Sequence, residues 1–207
     1  SGIYLLLKAT ENLKAIAGDD GYIASAPVIA GETVERVVIS AGSRSFEIQG
    51  HGFFQSNRPL LERLGAWADA EAGGDRCVEL YGGSGFFSVR LADRFKKGLL
   101  IESIGTEVAS ARANFKRNGI AHFTAVEGTA EDLASLSGTE PVDFLVVDPP
   151  RPGLSPEVCN AIVALKSKRI LYISCNPSTQ ARDAGALVNK AGYTISRAAI
   201  FDLYPNT

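Results

Sequence analysis

Cys175 sits where an apolar, β-type run ends and a helix begins. The segment reads Leu171-Tyr-Ile-Ser-Cys175-Asn-Pro-Ser-Thr-Gln-Ala-Arg-Asp183. Asn176 is a good helix N-cap and Pro177 suits the first helical position. A thiol at that junction lies near the positive end of a helix dipole, which favours thiolate, the form that acts as a nucleophile. The same residue could equally be a small hydrophobe buried at a strand end. A second chemical ending is Phe144-Leu-Val-Val-Asp148-Pro149-Pro150-Arg151-Pro152-Gly153. Here a buried-type strand delivers an acid, and the two prolines stop the strand because neither can donate to a ladder.

Two further strand ends complete the set. Glu79-Leu-Tyr81-Gly82-Gly83-Ser84-Gly85-Phe86 is a glycine-rich strand-to-helix turn, which lets backbone approach a ligand closely. It is not a phosphate P-loop, because no Gly-Lys-Ser/Thr follows. The next strand, Gly98-Leu-Leu-Ile-Glu102, ends in an acid about 20 residues on, the place from which a ribose hydroxyl is bound. Glu107 competes for that role, but its position in a first helical turn is accounted for by the helix dipole.

Together, Asp-Pro-Pro-Arg-Pro-Gly and Ser-Cys-Asn-Pro-Ser-Thr-Gln-Ala-Arg-Asp resemble the RNA uridine-5-methyltransferase family, which makes 5-methyluridine in tRNA and 23S rRNA. The resemblance runs from about Phe53 to Thr207, with the motifs in family order. It implies an S-adenosyl-L-methionine (AdoMet) cofactor and RNA as partner. His51-Gly-Phe-Phe-Gln55-Ser-Asn57 resembles the family's Phe-x-Gln-x-Asn segment. Carried over by position, cofactor contacts fall on Gln55, Tyr81, Glu102 and Asp148, with Gly83 and Gly85 in the turn and Thr129 near the adenine; Asn57 is a further companion. Cys175 becomes the nucleophile that adds to uracil C6, and Arg151 a contact to phosphate or the uracil carbonyl, or else a surface ion-pair residue.

The sequence departs from the family pattern at three places. The family usually has Cys-Gly-x-Gly-Asn in the glycine turn, where this chain has Gly82 at one end and Phe86 at the other. Gly-Asp-Ala after the third strand becomes Gly128-Thr129-Ala130. Phe201-Asp-Leu-Tyr-Pro205-Asn-Thr207 resembles the Asp-x-Phe-Pro-x-Thr segment, after which a His-x-Glu supplying the general base is expected. That base and the last strand of the sheet would lie past Thr207, and the chain has no Met, so a longer polypeptide is expected. Two alternatives remain. One is a methyltransferase for another RNA position, although such enzymes place an aromatic where Arg151 stands. The other is an AdoMet-fold, RNA-binding module without turnover.

The elements that must position these residues form a regular alternation. A helix over Arg58–Ala72 puts Leu60, Leu61, Leu64 and Trp67 on one face. Strands at 76–81, 98–102, 123–127, 144–148, 169–175 and 193–203 alternate with helices at 86–95, 106–118, 130–136, 155–165 and 178–191. That order predicts a Rossmann-like α/β fold, with a parallel sheet covered on both faces and ligands at the carboxyl ends of its strands. Every motif above falls at such an end. Residues 1–50 read as a small β-rich lead-in. It has a strand at Tyr4–Lys8, a turn at Gly18–Gly21 and a hairpin in which 35–40 and 44–49 flank Ala41-Gly42-Ser43. Residues 51–207 read as the catalytic domain.

Composition sets the outer bounds. The 207 residues are 45% apolar and 21% charged, with a net charge of −2, which suits one globular domain rather than a basic RNA-binding surface in bulk. No run approaches the roughly 20 apolar residues of a membrane span. Cys77, Cys159 and Cys175 match no disulfide, zinc or iron–sulfur spacing. His51 and His122 are too far apart to suggest a metal pair. A reducing cytoplasm is the expected compartment.

Overall fold

The computed structural model describes residues 36–49 and 58–201. The expected strand at Tyr4–Lys8, the turn at Gly18–Gly21, Gln55, Asn57 and the segment after Phe201 lie outside the described residues. An antiparallel hairpin comes first, β1 (Arg36–Ala41) and β2 (Arg44–Gln49). Ala41 pairs with Arg44, so Gly42 and Ser43 alone form the turn. Gly42 supplies the left-handed φ of 61° that a two-residue hairpin loop needs.

The body follows as α1 (Arg58–Asp69), β3 (Arg76–Leu80), α2 (Phe86–Leu91), β4 (Lys97–Glu102), α3 (Gly105–Arg117) and β5 (Phe123–Glu127). It continues through α4 (Leu133–Ser137), β6 (Phe144–Val147), α5 (Pro156–Leu165), β7 (Arg169–Tyr172) and α6 (Pro177–Ala191). The five strands after the hairpin form one parallel sheet in the order β5-β4-β3-β6-β7. The chain steps outward from β3 to β5, then returns to the other side of β3. A crevice therefore opens at the carboxyl ends of β4, β3 and β6.

Alternation along the strands divides the core between two layers. Cys77, Leu100, Phe144 and Val146 face the hairpin and α1 to α3, where they meet Phe46, Ile48, Leu61, Val89 and Phe115. Val78, Leu80, Leu99, Ile101, Leu145 and Val147 face the opposite layer and pack with Leu133, Val158, Ile162 and Leu187. β3 is buried along its whole length, as a central parallel strand must be.

Three expectations are corrected. Residues 193–201 form no strand, because no strand among the described residues pairs with them. Among the described residues β7 is the outermost strand of the sheet, and Ile195 and Ile200 are 70% and 98% exposed. An extended segment becomes a strand only through a ladder partner. β7 ends at Tyr172 rather than at Cys175, because the Ser174 hydroxyl accepts the Asn176 N–H at 3.0 Å and turns the chain out of the sheet. Finally, the helices expected at 86–95 and 130–136 each contain a 3₁₀ turn, at Ala92–Arg94 and Ala130–Asp132.

Candidate active site

The glycine-rich turn leaves β3 under strain. Tyr81 has φ 59°, a left-handed conformation that costs a non-glycine residue about 1–3 kcal/mol and clusters at functional sites. Gly83 and Gly85 follow at φ 49° and 88°. The Gly85 N–H donates to the Gly82 carbonyl at 2.9 Å and closes the turn. A Cβ added at Gly83 would meet nothing, so this backbone faces open space. Gly85 instead backs onto Ala111 of α3 and shapes the turn without lining the crevice.

Glu102 holds the turn from the neighbouring strand. Its Oε2 accepts the Gly83 N–H at 3.0 Å and its Oε1 the Ile104 N–H at 2.8 Å. Oε1 also accepts the Ser103 hydroxyl at 3.3 Å, while Oε2 keeps capacity for a further donor. Beside it lies a cavity of about 180 Å³ lined by Tyr81, Ile101, Glu102, Gly128, Thr129 and Glu131. The structure thus gathers three sequence-predicted residues, Tyr81, Glu102 and Thr129, around one cavity. The Thr129 hydroxyl is engaged locally: it and its own N–H donate to Asp132 Oδ2 at 2.9 Å, a capping box. The Tyr81 hydroxyl has no partner among the described residues. Burial, with the Glu131 charge adding to it, pushes its ionisation up to about 12 and keeps it a neutral donor.

Asp148 follows the last residue of β6 and lies outside the cavity wall. Its carboxylate makes no hydrogen bond or ion pair among the described residues, and burial pushes its pKa up to about 6. Glu79, which spacing arguments use only as a starting point, proves to be part of this site. It is 2% exposed and accepts both the N–H, at 2.9 Å, and the hydroxyl of Ser88 in the first turn of α2. Burial pushes it up to about 8 against those hydrogen bonds, and the Asp148 and Glu102 charges add to the rise. An acid among the apolar residues Cys77, Val78 and Leu80 of this strand is the sequence signal for it.

Cys175 lies on the other side of the crevice, after β7. It is exposed, whereas Cys77 and Cys159 are buried, and burial pushes both of those thiols up. Its loop is bonded to the loop after Asp148: Asn176 Nδ2 and the Thr179 hydroxyl each donate to the Arg151 carbonyl at 3.2 Å. Asn176 also caps α6, accepting the Ser178 N–H at 3.1 Å. The Arg151 side chain is exposed beside this junction. Most of the Ser-Cys-Asn-Pro-Ser-Thr-Gln-Ala-Arg-Asp run is therefore scaffold that presents one thiol.

Phe86 accounts for one departure from the family pattern. Its ring packs at 5.6 Å from Phe46 of the hairpin and at 5.0 Å from Phe87, so it serves the hairpin interface. Gly82 marks the other end of that same departure, because a Cβ there would fall 2.4 Å from Leu100 Cγ. Leu100 fills the space that a larger residue would need. Among the described residues, no group of three or more His, Cys, Asp or Glu could hold a metal ion. No described helix is long and apolar enough to cross a membrane.

Comparison with known proteins shows the family. The family model described as tRNA (Uracil-5-)-methyltransferase matches residues 29–207. The 23S rRNA (uracil(1939)-C(5))-methyltransferase RlmD of Stenotrophomonas maltophilia is 38% identical over 75% of this chain and 36% of its own length. The tRNA/tmRNA (uracil-C(5))-methyltransferase of Stutzerimonas stutzeri is 35% identical over 87% of this chain and 53% of its own length. Among solved structures, Pyrococcus abyssi tRNA (uracil-54, C5)-methyltransferase in complex with S-adenosyl-L-homocysteine superposes with a TM-score of 0.73 at 25% identity. That match covers 88% of this chain and 45% of that one. The chain thus spans between about a third and about a half of the curated relatives it matches.

Proposed function

The chain belongs to the tRNA (uracil-5-)-methyltransferase family, and from that premise we propose that it carries the catalytic centre of an AdoMet-dependent enzyme forming 5-methyluridine in tRNA or rRNA. On this proposal residues 51–207 are the catalytic domain and residues 1–50 a lead-in. The observation that carries the proposal is the exposed Cys175 thiol on a loop bonded to the Asp148–Arg151 loop, at the same sheet end as the Glu102 cavity.

The residues fit AdoMet. The open backbone at Gly83 admits close approach, and Glu102 is placed for ribose hydroxyls. The unpaired Asp148 carboxylate suits a cationic methionine portion, and Tyr81 and Thr129 wall the nucleoside side. Gln55 completes the set by position in the sequence. When bound, AdoMet supplies an electrophilic methyl group.

Uracil C5 is a poor nucleophile, and Cys175 changes that. Its thiolate would add to C6 and place carbanion character on C5; C5 would then take the methyl group from AdoMet held by Glu102 and Asp148, leaving S-adenosyl-L-homocysteine. The C5 proton leaves to a general base, and the C6–S bond breaks to release thiolate and methylated base. Arg151 stands where it can meet a phosphate or the uracil carbonyl. The target base must leave its stack to reach the thiol, so RNA loops and single strands are the expected substrates. The cytoplasm, where thiols stay reduced, suits this chemistry.

The test is trapping with 5-fluorouridine-substituted RNA and AdoMet, since fluorine at C5 cannot leave as a proton. A covalent protein–RNA adduct is expected, lost in Cys175→Ala while S-adenosyl-L-homocysteine still binds. An adduct that survives the substitution would overturn the assignment.

A further inference from the structure

Asn114 lies in α3 and has no exposed surface. Its amide makes three bonds. Oδ1 accepts the Glu47 N–H at 2.7 Å, and Nδ2 donates to the Glu47 carbonyl at 3.1 Å and to the Ser84 carbonyl at 2.9 Å. One helical turn later, Asn118 repeats the first half of this pattern. Its Oδ1 accepts the Ser45 N–H at 3.1 Å and its Nδ2 donates to the Ser45 carbonyl at 2.8 Å. Ser45 and Glu47 are two apart on β2, so their N–H and C=O groups point to the same side, away from β1. Two amides spaced i, i+4 on a helix face thus take the place of a missing neighbour strand.

Asn114, unlike Asn118, reaches on to the glycine-rich turn. There Gly83 is held by Glu102 Oε2 and the next residue, Ser84, by Asn114 Nδ2. The turn is therefore anchored at consecutive residues by an acid from β4 and an amide from α3. The same amide grips the hairpin, and the hairpin's Phe46 packs on Phe86 directly after the turn.

We infer that Asn114 is a positioning residue for the cofactor. It sets the backbone of Gly83–Gly85 through the Ser84 carbonyl, and its own amide is oriented for that bond by the Glu47 main chain. The inference rests on the reading of this turn as the AdoMet site.

The test measures S-adenosyl-L-homocysteine affinity by calorimetry on the full chain, with melting temperature alongside. Asn114→Asp keeps the volume and the acceptor for Glu47 but loses both donated bonds, and a loss of about tenfold or more in affinity is expected. Asn118→Ala loosens the hairpin without touching the turn, and affinity within about twofold of the parent is expected at a comparable loss of melting temperature. On the unsubstituted protein, the ligand should shift the Asn114 side-chain amide resonances and leave those of Asn118 in place, a readout independent of whether either variant folds. Equal affinity in Asn114→Asp and parent, or an unmoved Asn114 amide, overturns the inference alone. A parent chain that binds no S-adenosyl-L-homocysteine overturns the cofactor reading and the inference with it.

Discussion

The Tyr172 hydroxyl donates a 2.8 Å hydrogen bond to Asp183 Oδ2, clamping the end of β7 to the second turn of α6 across the loop that carries Cys175. The same oxygen accepts the Leu154 N–H at 2.8 Å, and Oδ1 accepts Arg182 Nε at 2.8 Å. Arg182 in turn donates to the Pro152 carbonyl at 2.9 Å. One carboxylate, 2% exposed, therefore joins β7, α6 and the loop after Asp148.

Asp183→Ala leaves the Tyr172 hydroxyl and Leu154 N–H without their acceptor and should cost about 3–5 kcal/mol in denaturant unfolding. Burial opposes the charged form of Asp183, but the bonds from Arg182, Leu154 and Tyr172 hold it below the ordinary carboxylate range. Its contribution is thus present above the unfolded-state pKa and is lost as pH falls through the lower folded value. Under conditions where the variant is folded, adduct formation with 5-fluorouridine-substituted RNA should fall while S-adenosyl-L-homocysteine affinity stays within about twofold of the parent, because the cavity side of the crevice is untouched. Parallel losses in both would place Asp183 outside this role.

Asp148 should couple cofactor binding to a proton. Its pKa near 6 means that near that pH the carboxyl is about half protonated, and a cationic ligand favours the ionised form. Binding AdoMet at pH 6 should release about half a proton, read by calorimetry in buffers of different ionisation enthalpy. Affinity should fall as the pH drops below 6. Asp148→Asn should abolish the proton release, and release that persists in the variant would remove Asp148 from the cofactor site.

Glu79 has the opposite bearing on stability. The folded protein keeps its proton up to about pH 8, whereas the unfolded chain gives it up near the ordinary value of 4.5. Across that window the native state binds the extra proton, so stability contributed by this group declines with rising pH, by at most about 1.4 kcal/mol per unit. Glu79→Gln should flatten the dependence and gain on the parent toward pH 8, as seen in urea midpoints across pH. Parallel curves would refute the linkage.

Gly82 and Leu100 should behave as a coupled pair. A methyl at Gly82 overlaps the Leu100 side chain, so Gly82→Ala should cost about 1–3 kcal/mol. Leu100→Ala alone should cost about 2–5 kcal/mol. The double variant should cost less than the two together, by about 0.5–3 kcal/mol in a double-mutant cycle.

The sheet is legible in the sequence because strands buried on both faces read as apolar runs, as Val78, Leu80, Leu99 and Ile101 show. The glycines, Glu102, Asp148 and Cys175 are legible because each ends such a run. What is not legible depends on partners remote in the chain. Asn114 meets Ser84 and Glu47 across 30 and 67 residues, and Asp183 meets Leu154 across 29. No local pattern around Asn114 or Asp183 announces those meetings. Residues 193–201 carry β-type composition, but composition cannot supply the neighbour a strand requires.

The α3 amides address only main-chain atoms of Ser45 and Glu47. A clasp of that kind is blind to spelling. The letter at position 45 is free to drift among descendants while the hairpin keeps its seat, so variation should accumulate there and spare Asn114 and Asn118; position 47 is held more tightly, because the Glu47 carboxylate also accepts from Arg117 of α3 at 2.7 Å.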